Sequence, residues 1–354
     1  MAKYTLYEEN YQYLSQGNYQ YLCIISDFKL FKMYKINHTT KNELSRVQEK
    51  ITKELASEKI IQDIYEYIFQ SEGKKTRALI TLLASQSNKI KPLKRIELAS
   101  IIELLHTATL VHDDVVDQSN LRRGEKSVNQ VWNNSYSVLM GDFIYSKAFM
   151  LMVKLDRPAI LKELAGATND IARGEIIQLN LFENYLHLGL DDLLKVSYLK
   201  TGRLFEAAAK TGAMLADSSE SDIKNFGLLG KTLGIAFQIQ DDILDYESLH
   251  INTGKPALQD FQEGKITFPL FYALKHSSKD DQTFLLEHLG SKKLTKTIKN
   301  RVFGLVRSEI SIKSSQNLLD SYILKTKKSL ARLNHHSCYI EMLNLIMFSS
   351  HRKS

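Results

Sequence analysis

The chain of 354 residues is 44% hydrophobic and carries a formal net charge of +7. It is long and apolar enough for a large buried core. Two cysteines, Cys23 and Cys338, are too few and too far apart for a disulfide framework or a cysteine zinc site, and they suit a reducing compartment. No uncharged apolar run reaches the roughly 18 residues of a membrane span. The positive charge fits nucleic acid, anionic headgroups or a phosphorylated small substrate, and charge alone does not choose among them.

Residues 1–40 are tyrosine-rich and dotted with lysine, without sustained periodicity, and are expected to form a poorly structured extension. The opening lacks a compact apolar core, and Glu8 and Glu9 are unlike a transit peptide, so no targeting signal is expected there. From KNELSRVQEKITKEL (41–55) onward, apolar residues recur at three- and four-residue spacing, which predicts an all-α fold with 41–354 as a single helical domain. Helices are expected over 41–70, 75–89, 93–117, 126–153, 158–187, 190–213, 220–248, 262–277, 279–289, 295–312, 314–331 and 338–348. Polar turns at 71–75 and 88–92, a proline at the helix start of 155–158 and the loop HINTGKP (250–256) supply the breaks. No Asn-Gly or Asp-Gly hairpin signal occurs.

The chemistry is concentrated in HTATLVHDDVVDQSNLRRG (106–124). On a helix, Asp113 and Asp117 project from one face and Asp114 is rotated by about 100°. Like charges this close need full solvation or a cation. The pattern recurs in GIAFQIQDDILDY (234–246), with Asp241, Asp242 and Asp245. Two apolar helices that each end in DDxxD oppose their own macrodipoles, so a solvated surface explains them poorly. Two facing clusters offering only oxygen suit Mg²⁺, or Mn²⁺ in its place, bridging to a diphosphate. Arg122 and Arg123 then balance the remaining phosphate charge. Lys74, Lys75 and Arg77 in GKKTR (73–77) open a helix against its dipole, which points to a second phosphate site. Lys200 and Thr201 add an ammonium and a hydroxyl, and Gln238 lies one turn before Asp242.

With these motifs, and with GEIIQ (174–178), YLKTGRLFEAA (198–208) and EGKITFP (263–269), the sequence resembles the trans-isoprenyl diphosphate synthases. It is most similar to the bacterial long-chain polyprenyl synthases of the octaprenyl type, from about residue 41 to the C-terminus. The resemblance implies a helical bundle of the isoprenoid synthase type, with a central cavity lined by both DDxxD motifs. It implies that Asp113, Asp117 and Asp241 bind Mg²⁺, supported by Asp114, Asp242 and Asp245. Arg122, Lys200, Thr201, Gln238 and Lys255 would hold the allylic diphosphate. Lys74, Arg77, His106 and Arg123 would hold isopentenyl diphosphate, and Lys265 would contact a diphosphate as well. A cytoplasmic homodimer without a nucleic-acid partner, passing its product to the membrane, is also implied. The chain departs from the family pattern at Glu72, Lys75 and Ala78, which replace glycine, arginine and proline, and at Leu258 and Gln259, which replace glycine and aspartate.

Ahead of Asp113, the residues Thr109, Ala108, Leu105, Leu104 and Ile101 are small or apolar and extend an apolar wall of about 18 Å at about 1.5 Å per residue. The resemblance makes Ala108, Thr109 and Leu105 determinants of chain length, since bulky aromatic residues at the Ala108 and Thr109 positions give short products. Their absence suits a product of octaprenyl length for quinone side chains. A shorter-chain synthase and a non-catalytic prenyl synthase subunit are the alternatives, but the catalytic set is complete. A class I cyclase normally lacks a second DDxxD. A di-iron carboxylate bundle would use Glu103 with His106 and Glu247 with His250, and would leave both aspartate clusters and the cationic set unused.

Overall fold

A computed structural model describes residues 37–70, 75–87, 89–183, 188–247 and 258–350. Lys74, Lys255 and His250 lie outside the described residues, as does the 1–40 extension apart from its last four residues. Residues from Asn37 onward form one contact unit.

The first helix, α1 (His38–Leu55), starts where the Asn37 side chain accepts the Thr40 N–H at 2.7 Å. A break at 56–58 separates it from α2 (Lys59–Gln70), so the expected helix over 41–70 is two. Next come α3 (Thr76–Ala84) and α4 (Pro92–Val116), which has proline in its first turn, where a missing N–H costs nothing. Every residue of α4 from Arg95 to Leu105 is buried, so this helix is central rather than amphipathic. It packs against α1, α3 and α6 (Asn134–Leu155). The guanidinium of Arg95 is one polar tie in that packing: it donates to Glu43 of α1 at 2.9 Å and to the Leu82 carbonyl of α3 at 3.0 Å. A buried charge needs such partners.

Between α4 and α6 the chain forms a two-stranded hairpin, β1 (Leu121–Arg122) with β2 (Glu125–Lys126), followed by the short helix α5 (Val128–Val131). Helix was expected from 126, and the hairpin was not. Its turn, Arg123-Gly124, has φ of 54° and 86°, both in the left-handed region. A two-residue hairpin turn with both φ positive matches the strand twist. Arginine is a rare occupant of its first position.

The bundle continues with α7 (Pro158–Glu183), α8 (Leu190–Ser197), a π-helical turn at Tyr198–Gly202, α9 (Arg203–Leu215) and α10 (Glu220–Glu247). Beyond 257 lie α11 (Gln259–Gln262), α12 (Phe268–His276), α13 (Lys279–His288), α14 (Lys296–Val306), α15 (Glu309–Ala331) and α16 (Tyr339–Ser350). Helix α10 packs on α9 and α15. The main core runs through α1, α3, α4, α9 and α10, and a smaller one centres on Tyr246, Leu258, Phe261 and Phe303. The fold is all-α as expected, the hairpin aside.

Candidate active site

The C-terminal ends of α4 and α10 open into one cavity of about 980 Å³. Its wall includes Asp113, Asp114 and Asp117 from the first motif and Asp241, Asp242 and Asp245 from the second. The two clusters, 128 residues apart in sequence, therefore meet, as does much of the expected cationic set: Arg77, Arg122, Arg123, Lys200 and Lys265 line the same space with His106, Thr201 and Gln238.

The six aspartates are not equivalent. Burial pushes the Asp113 carboxyl up to about 7, the nearby charges of Glu175 and Asp117 add to the rise, and Lys200 and Arg122 oppose it. Asp114 is almost fully buried, and its Oδ1 accepts from both Nε and Nη2 of Arg122 at 2.7 Å. Arg122 thus joins the hairpin to the end of α4. Asp117 caps α4 and takes Lys265 Nζ at 2.6 Å. Lys265 also reaches Glu263 at 2.8 Å, and the carboxylates outweigh burial to raise its pKa. Asp242 is buried, and burial followed by the charge of Asp260 pushes its carboxyl up to about 8. Its two oxygens are engaged by Gln238 Nε2 at 2.8 Å and by the Phe268 N–H at 3.1 Å, so it ties α10 to α12 at the cavity wall.

Gln238 is oriented in turn by the Thr201 hydroxyl, which donates to its Oε1 at 2.7 Å. Thr201 and Lys200 sit in the π turn, a feature that often marks functional sites. Close approach to this turn requires glycine on the neighbouring helices: a Cβ at Gly234 would stand 2.6 Å from Gly202 Cα, and one at Gly174 would stand 2.7 Å from Leu199 Cβ. With α7 so near, Lys200 Nζ reaches Glu175 at 2.6 Å. Glu175 lines the cavity and was not singled out from the sequence; its segment GEIIQ was noted without a role for the glutamate.

On the opposite wall, Arg77 lies over the Phe205 ring at 4.5 Å, with Nη1 3.0 Å from His106 Nε2. Burial, then the charges of Arg77 and Arg123, hold His106 well below its usual pKa. A guanidinium only donates, so His106 Nε2 is the acceptor in the contact with Arg77. Glu103 accepts the Ala78 N–H at 3.0 Å. Where the family pattern has proline, Ala78 thus supplies a donor that proline lacks. Glu103 and His106 are committed to the start of α3, which leaves the di-iron reading without support; the Glu247 side chain and His250 lie outside the described residues.

Of the expected length determinants, Thr109 lines the cavity, whereas Ala108 and Leu105 are buried in the packed core and absent from its wall. Thr109 stands four residues before Asp113 and shares its face. Ala108 at five residues is rotated by about 140° and Leu105 at eight by about 80°.

The polyprenyl synthetase family model matches residues 58–306. The chain belongs to that family. It is 39% identical over 245 residues to the octaprenyl diphosphate synthase of Escherichia coli (strain K12), covering 69% of this chain and 76% of that one. Among solved structures it resembles a polyprenyl synthase from Caulobacter crescentus CB15 complexed with calcium and isoprenyl diphosphate, at 33% identity and a TM-score of 0.82, covering 89% of this chain and 96% of the other. A decaprenyl diphosphate synthase from Rhodobacter capsulatus superposes with a TM-score of 0.81 at 29% identity, covering 89% and 98% of the two chains. Family membership and the shared all-α architecture agree with the two motifs meeting in one cavity.

Proposed function

We propose that this protein is a long-chain trans-prenyl diphosphate synthase, extending an allylic diphosphate, farnesyl diphosphate foremost, with isopentenyl diphosphate units to about octaprenyl length for quinone side chains. The observation that carries this reading is the convergence of both aspartate motifs and the cationic residues on one cavity. The donors are carboxylates only, and burial beside Glu175 makes the ionised Asp113 costly without a cation, which fits Mg²⁺ or Mn²⁺. Asp113, Asp117 and Asp241 would hold the metal, which when bound supplies Lewis-acid neutralisation of the departing pyrophosphate.

The protein's own groups act by placement and charge. Lys200 and Lys265 each carry three donors; with Glu175 on Lys200, and with Asp117 and Glu263 on Lys265, each retains a donor for a diphosphate, Lys200 for the allylic one. Arg122 keeps further N–H groups after pairing with Asp114 and assists them. The oriented Thr201 and Gln238 present oxygen dipoles to the allyl cation formed when the C–O bond breaks. The double bond of isopentenyl diphosphate then attacks that cation, and the released pyrophosphate takes the proton lost from the adduct. Arg77, His106 and Arg123, with Lys74, hold the isopentenyl diphosphate. No protein nucleophile is required.

Purified protein given farnesyl diphosphate, isopentenyl diphosphate and Mg²⁺ should form long prenyl diphosphates, measured by mass spectrometry. EDTA should abolish the reaction and added Mg²⁺ restore it; full turnover in chelator would refute the metal assignment. Arg77→Ala should raise KM for isopentenyl diphosphate by roughly tenfold or more, the loss expected for a charged hydrogen-bonding partner. A selective rise in KM for farnesyl diphosphate would reverse the assignment of the two pockets.

A homodimer is supported by α6, which exposes Val138, Leu139, Phe149, Met150 and Val153 to solvent, more apolar surface than a lone soluble helix needs. No described helix is long and apolar enough to cross a membrane. A cytoplasmic enzyme that hands its product to a membrane is consistent with that.

A further inference from the structure

Away from the cavity, the turn between α15 and α16 meets the first turn of α10. Asp222 stands in that first turn, and His335 and His336 stand in the connecting turn. The Nε2 atoms of His335 and His336 lie 3.3 and 3.4 Å from the same Asp222 oxygen, Oδ2, and the three candidate ligand atoms all fall within 4.8 Å of one another. We propose that Asp222, His335 and His336 form a site for a borderline divalent transition metal, Zn²⁺ above all, with a fourth position open to water.

Distance is the first support. Zinc bonds to nitrogen and oxygen of about 2.0–2.2 Å in a tetrahedron put neighbouring ligand atoms about 3.3–3.5 Å apart, and both measured separations match that edge. The second support is an unsatisfied group: His336 Nε2 is buried and has no hydrogen-bond partner. The ion pair with Asp222 at 3.4 Å gives that nitrogen no hydrogen bond, while Oδ2 accepts the Ser219 hydroxyl at 2.8 Å and His335 Nε2 at 3.3 Å. An unmade hydrogen bond at a buried nitrogen is costly, and a metal bond would remove that cost.

The surrounding groups are those that position ligands. Ser219 donates to the Asp222 carboxylate and accepts its backbone N–H at 3.1 Å, which locks the carboxylate on the helix start. The His336 ring packs edge-on against Phe226 at 5.0 Å between centroids, fixing its direction. Two imidazoles and one carboxylate are softer than the all-oxygen aspartate clusters, so this site selects Zn²⁺, Co²⁺ or Ni²⁺ over Mg²⁺. Asp222 and Asp241 are 19 positions apart on one helix, about 28 Å along its axis. The metal therefore clamps the C-terminal turn to the far end of the helix that carries the second motif and takes no part in the chemistry.

Untagged full-length protein, stripped with a chelating resin and kept in excess Mg²⁺, is titrated with Co²⁺ and read by visible absorption. One equivalent should give the intense band of four-coordinate Co²⁺, Zn²⁺ should displace it, and bound Zn²⁺ should raise the thermal midpoint. His335 is 58% exposed, so His335→Gln keeps the fold; it and His336→Gln should each lose the band and weaken Zn²⁺ binding at least 10–100-fold, since loss of a ligand costs no less than loss of its outer partner. Asp113→Ala should keep the band, and His335→Gln should keep prenyl transfer in Mg²⁺, which separates this site from the proposed active site. Absence of the band in the parent protein, or its survival in both histidine variants, would overturn the proposal.

Discussion

Replacing Asp113 by alanine is expected to lower kcat by roughly 10²- to 10³-fold, the loss measured when one pre-organised electrostatic group is removed from a site that stabilises developing charge. Burial and the nearby charge of Glu175 strain the ionised form of Asp113, so it gains from a bound cation. Because its folded pKa is raised to about 7 from the ordinary carboxylate value, its ionisation opposes folding as pH rises through that range. Alanine there relieves the strain, so the metal-free variant should melt no lower than the parent at pH 8. That pairing distinguishes lost chemistry from lost structure. Measured kcat within a few-fold of the parent would remove Asp113 from the metal set. Asp241→Ala should behave similarly in turnover, whereas Asp242→Ala should also destabilise, since it frees the Gln238 amide and the Phe268 N–H.

The helical periodicity and the two DDxxD motifs were legible in the sequence because each depends on spacing within one helix. Three features were not. The hairpin at 121–126 turns on Arg123-Gly124 rather than on Asn-Gly or Asp-Gly, so the usual turn chemistry is absent, and arginine does not signal the left-handed backbone it adopts here. The π turn at Tyr198–Gly202 inserts a wider turn into a helix without altering residue type, and only the packing of glycines at 174 and 234 around it betrays the close contacts. Glu175 pairs with Lys200 across two helices, a contact no local spacing encodes.

The departures from the family pattern also acquire physical content. Leu258, standing where glycine is usual, keeps a left-handed backbone with φ of 64° while its side chain is fully buried in the smaller core. Left-handed geometry costs an L-residue about 1–2 kcal/mol, and burying a leucine returns about 1.5–3 kcal/mol. At this position, burial of the side chain offsets the strain of the left-handed backbone.

The second large effect concerns product length and separates two adjacent positions. Thr109→Phe should shorten the product sharply, from the proposed octaprenyl length towards geranylgeranyl and farnesyl lengths, while the first condensations continue. Thr109 lines the cavity one turn before Asp113 on the same face, so a ring there meets the tail where it leaves the diphosphate site. Protein packing leaves no room for both ring and chain. Ala108→Phe should act differently. Ala108 has no exposed surface and sits in the core behind the wall. A phenylalanine there overpacks the core, at a cost of about 1–3 kcal/mol or more, and should appear first as a lower thermal midpoint. Mass analysis of products and melting of both variants decide the matter. Short products from Ala108→Phe with an unchanged midpoint, and full-length products from Thr109→Phe, would show that the tail runs along the other side of α4.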